Sequence, residues 1–206
     1  MVKRIKKITK GKPTRERRKV IVVGTEGRNR TEILYLRSLE KKQSIYHFIF
    51  AEGNETDPLS IVRNTVRKAQ KEDLSNKRGD FAVSIFDLDL DSTKVNQLLA
   101  AKDLSSKKNV RLITSNPCFE IWYLEHFGYT SKPFVSSDEV IQQLKKYIPD
   151  YSKSTDCFEI LFPHTAEAVE NCSHLDEYHK GNGSNGIFEY NNPRTDMYKL
   201  VEAVMQ

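Results

Sequence analysis

No stretch of this 206-residue chain approaches the roughly 18 consecutive apolar residues that a membrane helix requires, so no membrane span is expected. The start of the chain is basic with no apolar core behind it, which does not fit a secretory signal, and residence in the cytoplasm is the expectation. Cysteine is scarce. Cys118, Cys157 and Cys172 are odd in number and far apart, which argues against a disulfide framework and suits a reducing compartment. The grouping Cys172-x-His174 with His179 beyond it has no zinc-site spacing. Cys118 has no evident base beside it to make it a nucleophile. Internal repeats and long low-complexity segments are missing too.

What remains is a chain of globular composition, 38% hydrophobic and 30% charged, long enough for one compact domain with a modest appendage. Its formal charge of +5 is unevenly placed. Within residues 1–20, ten basic side chains face Glu16 alone, a surplus of nine, which leaves the rest of the chain at −4. Residues 1–17 therefore read as a basic, flexible arm, either solvated or available to phosphates or an acidic partner.

Val20-Ile21-Val22-Val23 is a β-branched run stopped by Gly24, the pattern of a strand buried on both faces of a parallel sheet. Residues 31–40 carry Ile33, Leu34, Leu36 and Leu39 at helical spacing. Residues 46–51 form a second short apolar run, and Pro58 suits the first turn of a helix carrying Ile61, Val62, Val66 and Ala69. Residues 81–86 predict a third strand running into Asp87-Leu88-Asp89-Leu90-Asp91, with a helix over 93–101. Residues 110–114 predict a fourth strand, followed by Ser115-Asn116-Pro117 and a helix carrying Phe119, Ile121, Trp122, Leu124 and Phe127. The alternation predicts an α/β core over residues 18–128, with a parallel sheet of about four strands flanked by helices. Residues 129–206 read as a mostly helical C-terminal extension packed on that core, with helices near 138–147, 164–180 and 195–205 and a flexible loop at 181–185.

The chemistry is expected in the acids. On an extended backbone residues i and i+2 point the same way, so Asp87 and Asp89 can aim at one spot. Paired carboxylates repel unless a cation neutralises them, and Mg²⁺ or Mn²⁺ suits such oxygen ligands. Glu26, just past the end of the first strand, would join them at the carboxyl edge of the sheet, where open α/β sheets bind ligands. Asp91 is a further metal candidate, through water, although turns use the same residues. Glu32 is one helical turn on and can serve catalysis or simply complement the helix dipole. Glu120, in the first turn after Asn116-Pro117, stands the same way. Arg28, Arg30 and Asn116 are candidate substrate contacts; solvent exposure and helix capping are the plainer alternatives. Phe119 and Trp122 read as core. His47, His126, His164, His174 and His179 are the available bases.

Val22-Val23-Gly24-Thr25-Glu26-Gly27 with Thr31-Glu32, and then Ile85-Phe86-Asp87-Leu88-Asp89, resemble the TOPRIM pattern of an acid after the first strand and a later DxD. With Ser115-Asn116-Pro117-Cys118-Phe119-Glu120-Ile121-Trp122 and Asn192-Pro193-Arg194-Thr195-Asp196-Met197-Tyr198-Lys199-Leu200-Val201, the chain resembles the RloB-like family over residues 18–201. The resemblance implies a TOPRIM-like fold, Mg²⁺-dependent nuclease chemistry on RNA, tRNA included, or DNA, and a bacterial abortive-infection setting beside a partner ATPase. Glu26 corresponds to the TOPRIM acid, and Asp87 and Asp89 to its DxD. The chain departs where family members often carry a lysine, having Arg28-Asn29-Arg30 instead. Nucleotidyl transfer at the same site, or a non-catalytic sensor subunit of an ATPase complex, are the alternative readings. A homo-oligomer is compatible with either.

Overall fold

The computed structural model describes residues 17–27, 31–88, 95–183 and 191–205. Most of the basic arm, Arg28, Arg30, Asp89, Asp91 and residues 184–185 of the 181–185 loop lie outside the described residues.

The elements follow in the order β1 (Lys19–Gly24), α1 (Thr31–Lys42), β2 (Tyr46–Phe50), α2 (Pro58–Lys71), β3 (Phe81–Asp87), α3 (Val95–Lys108), β4 (Val110–Asn116), α4 (Glu120–Leu124), α5 (Ser137–Leu144), α6 (Phe158–Leu161), α7 (Thr165–Gly181), β5 (Arg194–Thr195) and α8 (Met197–Met205). They form an α/β fold around a five-stranded sheet of order β2-β1-β3-β4-β5. The first four strands are parallel and β5 is antiparallel to β4. Among the described residues no helix is long and apolar enough to cross a membrane.

The apolar run of β1 works in both directions, as a doubly covered strand must. Ile21 and Val23 join Phe81, Val83, Ile85 and Ile113 under α1, α4, α6, α7 and α8. Val20, Val22 and Ala82 face the other way, toward Val66, Ala69 and Leu74. Beside them Phe86 packs with Ile61 and Val62 of α2 and Leu98 and Ala101 of α3. Pro58 opens α2 as expected, and the Asp57 side chain caps it by accepting from Ser60 N at 2.9 Å.

The strand order reverses between β1 and β3. The chain leaves β1 for β2 on one side, and the α2 crossover then carries it to β3 on the other. A crevice opens at the carboxyl ends of the strands at such a switch point. Gly24 ends β1 there because nothing larger fits: a Cβ on it would lie 2.0 Å from Thr65 Oγ1 of α2. That hydroxyl is already committed to Ile61 O and Ser84 Oγ, each at 2.8 Å.

β5 was not expected. The spacing predicts helix from residue 195, whereas α8 begins at Met197 and Arg194–Thr195 pair with β4. The C-terminal part thus contributes to the sheet as well as packing helices on it. Asn116 Nδ2 donates to Asn191 O at 2.8 Å, Ser115 Oγ meets Thr195 Oγ1 at 2.9 Å, and Thr114 Oγ1 donates to Asp196 Oδ2 at 2.8 Å. Behind these contacts Arg194 and Lys199 bind Asp196 Oδ1 at 2.9 and 2.5 Å, and Lys199 reaches Asp176 at 3.1 Å. Burial would raise the Asp176 pKa, but Lys199, Tyr198 and Arg194 hold it below the ordinary carboxylate value.

Replacing Gly24 with alanine is expected to destabilise the fold by about 1–3 kcal/mol through overpacking. In a Thr65→Ala background the same change should be milder, because the blocking hydroxyl is gone. Urea denaturation of the four variants measures this, and strictly additive losses would contradict it.

Candidate acidic site at the carboxyl edge of the sheet

Four acids converge where β1, β3 and β4 end. Glu26 lies two residues past Gly24, in a loop that touches the 52–57 loop: Gly27 N donates to Glu55 O at 3.0 Å. A Cβ on Gly27 would sit 2.3 Å from Gly53 O, so glycine allows the two backbones to meet. Asp87 is the last residue of β3, paired in register with Ser115, and is 7% exposed. Glu32 is the second residue of α1 and Glu120 the first of α4, each 1% exposed.

Their charges act on one another. Burial, reinforced by Glu120 and Glu26 against the opposing pull of the backbone amide and Lys153, pushes the Glu32 pKa up to about 7. Cys118 is raised well above an ordinary thiol by burial and by Glu120 and Asp87, which keeps it a thiol and not a nucleophile. Glu120 Oε1 accepts from Tyr151 OH at 2.8 Å. Glu32 Oε2 and Glu120 Oε2 are buried with no hydrogen-bond partner. An unpaired buried carboxylate oxygen is costly, and two in one acidic cluster point to something positive that belongs between them.

A divalent cation fits that demand. Hard oxygen donors, excess negative charge and orphaned buried oxygens suit Mg²⁺, which takes one or two carboxylates and keeps water or phosphate for its other positions. Among the described residues, no three of the His, Cys, Asp and Glu side chains stand together so that they could hold a metal ion by themselves. Asp89 and Asp91, with Arg28 and Arg30, lie outside the described residues. Asn116 is fully buried in the β4–β5 junction, its amide nitrogen spent on Asn191 O, while its Oδ1 has no hydrogen-bond partner. Phe119 and Trp122 are core residues.

Three of the five histidines are engaged elsewhere. His47 meets Glu40 at 2.8 Å, His126 lies buried on Trp122 O and His179 on Pro193 O, each at 2.8 Å. Cys172 is buried in the main core while His174 points outward from α7, so the Cys/His grouping does not converge.

Two residues near the acids carried no signal in the sequence: Tyr151 and Lys153, from the segment between α5 and α6. Lys153 Nζ stands 3.9 Å from Glu120 Oε1, and Thr31 Oγ1 donates to the Lys153 carbonyl at 3.0 Å. Burial opposes its charge, but Glu120, Asp87, Cys118 and Glu32 more than compensate and raise the Lys153 pKa. The segment has no periodicity, and only the fold brings it to the rim.

A family model described as RloB-like protein matches residues 21–204, a span that includes all four acids and both Asn-Pro motifs. No curated protein and no solved structure matches the chain.

Glu32 gives this site a pH signature. Unfolded, it releases its proton near 4.5; folded and without a cation, near 7. Between those values the native state holds the extra proton, so stability falls as pH rises. Glu32→Gln lacks this liability. In EDTA its advantage over wild type should grow from pH 4.5 to about 7 and then level, reaching on the order of 3 kcal/mol. Mg²⁺ at pH 7 should shrink the difference by favouring the ionised acid. Thermal melts across this range check it; a pH-independent difference would refute it.

Proposed function

The chain belongs to the RloB-like family, and from that membership and the acidic rim we propose that it is a Mg²⁺-dependent, TOPRIM-type nuclease that hydrolyses phosphodiester bonds in RNA, with tRNA a candidate, or in DNA. One observation carries the reading: Glu26, Glu32, Asp87 and Glu120 gather at the switch point of a parallel sheet, and Glu32 and Glu120 each keep a buried oxygen without a partner. Such an arrangement is poorly explained as scaffolding, since like charges in a buried rim oppose folding unless they serve a cation.

Glu26 and Asp87 would hold the cation, with Asp89 as the second acid of the DxD. Glu32 and Glu120 line the buried side, where they balance its charge and orient water. Bound there, Mg²⁺ would supply a Lewis acid for the phosphoryl oxygens and lower the pKa of an attacking water. Tyr151 fixes one Glu120 oxygen by hydrogen bonding, leaving the other for the site. Beside the bound cation Glu32 would be ionised and able to accept a proton, as a general base requires. Anti-phage abortive infection, under the control of a partner ATPase, is the setting the family suggests for such an activity.

Expression of wild type and Asp87→Ala, each with and without the partner ATPase, followed by sequencing of cellular RNA and DNA ends, tests the reading. Wild type should generate new ends, and Asp87→Ala should reduce them by at least about 100-fold, beyond the loss of a merely supporting group. Undiminished toxicity of Asp87→Ala with no new ends would indicate a binding subunit. Incorporation of labelled nucleotide without scission would indicate a transferase.

A further inference from the structure

We propose that Lys153 is the phosphate contact of the acidic site: an ammonium held at its mouth to receive the backbone of a nucleic acid. The proposal rests on the nuclease reading and adds to it a residue that binds substrate.

Lys153 is held through its backbone. Its own carbonyl accepts from Thr31 Oγ1 at 3.0 Å, which ties the base of the side chain to the residue preceding Glu32. Two positions earlier, Tyr151 OH is bonded to Glu120 at 2.8 Å. The segment is therefore fastened to α1 and α4 on either side of the acids, and the lysine is presented by design of the backbone. Its charge acts on Glu120, Asp87 and Glu32.

Yet the ammonium does not close on any of them. Nζ is 3.9 Å from Glu120 Oε1, well beyond the roughly 2.7–2.9 Å of a charge-assisted hydrogen bond. The oxygen it approaches is already occupied by Tyr151, and the Lys153 side chain is 44% exposed beside a carboxylate that is 1% exposed. Arg194 offers a contrast. It is 8% exposed and lies 2.9 Å from Asp196. Lys153 has the opposite character: buried acids behind it, solvent before it, and no protein acceptor among the described residues within hydrogen-bond distance of its three donors. A compact ammonium on a flexible stem suits a phosphate oxygen arriving from solvent. It also lowers the repulsion that a polyanion meets at a rim of four acids.

Binding of a fluorescein-labelled single-stranded RNA, and of a labelled DNA duplex, is measured by anisotropy across a salt series with Ca²⁺ replacing Mg²⁺ and strand integrity checked on gels. For wild type, Lys153→Arg and Lys153→Met, the expectation is a severalfold loss of affinity in Lys153→Met. The slope of log K against log salt should shrink by about 0.7 for RNA, or about 0.9 for duplex DNA, as one lost phosphate contact requires. Lys153→Arg should keep the wild-type slope, and the melting temperature of Lys153→Met should stay within about 4 °C of wild type. An unchanged slope and affinity in Lys153→Met overturns the proposal while leaving the nuclease reading intact. So does a Lys153→Met protein that fails to fold, which would make the lysine a structural counter-charge. A wild-type protein that binds neither probe sinks both.

Discussion

Like charges crowded into a buried rim repel, and the rest of this structure is arranged around holding them there. Glu26, Glu32, Asp87 and Glu120 come from four different elements, and nothing in their mutual interaction favours the meeting. What forces it is the sheet. β1, β3 and β4 are locked in parallel register, and both of their faces are packed with aliphatic and aromatic side chains. Hydrophobic burial supplies the free energy, the parallel order puts the strand ends on one side, and the reversal between β1 and β3 leaves the crevice. The electrostatic penalty falls on the buried Glu32, whose proton is retained to near neutrality.

The second half of the chain holds this rim in place. The pairing of β4 with β5 brings the two Asn-Pro motifs side by side, and the bonds from Thr114, Ser115 and Asn116 to the 191–196 segment fix the strand on which Asp87 leans. The ionic network of Asp176, Arg194, Asp196 and Lys199 lies directly behind. Buried ions of this kind are weak sources of stability and good sources of specificity, since few alternative arrangements satisfy them all. The 145–157 segment adds Tyr151 and Lys153 from yet another direction.

Much of this was legible in the sequence, for definable reasons. β1 and β3 announced themselves because strands covered on both faces are continuous apolar runs, and Gly24 marked where the first one stops. The acids at their ends followed from that assignment. β5 escaped because two residues cannot show a period, and its threonine read as the start of the helix that follows. Asn116 was open to a substrate role because an Asn before Pro at a strand end is polar by type; only the fold reveals that Asn191 takes its amide. Lys153 was invisible for a different reason. Its segment is irregular, its neighbours are polar, and its importance comes wholly from where the chain returns.

That return has a temporal side. The bond between Asn116 and Asn191 spans 75 positions, and Thr114 waits for Asp196 across 82. During synthesis, β1 to β4 leave the ribosome well before the segment that fastens them exists. A nascent chain halted short of residue 191 leaves β4, the neighbour of the strand that ends in Asp87, as an edge strand with unpaired backbone, and the rim reaches its final form only when translation has passed the last Asn-Pro motif.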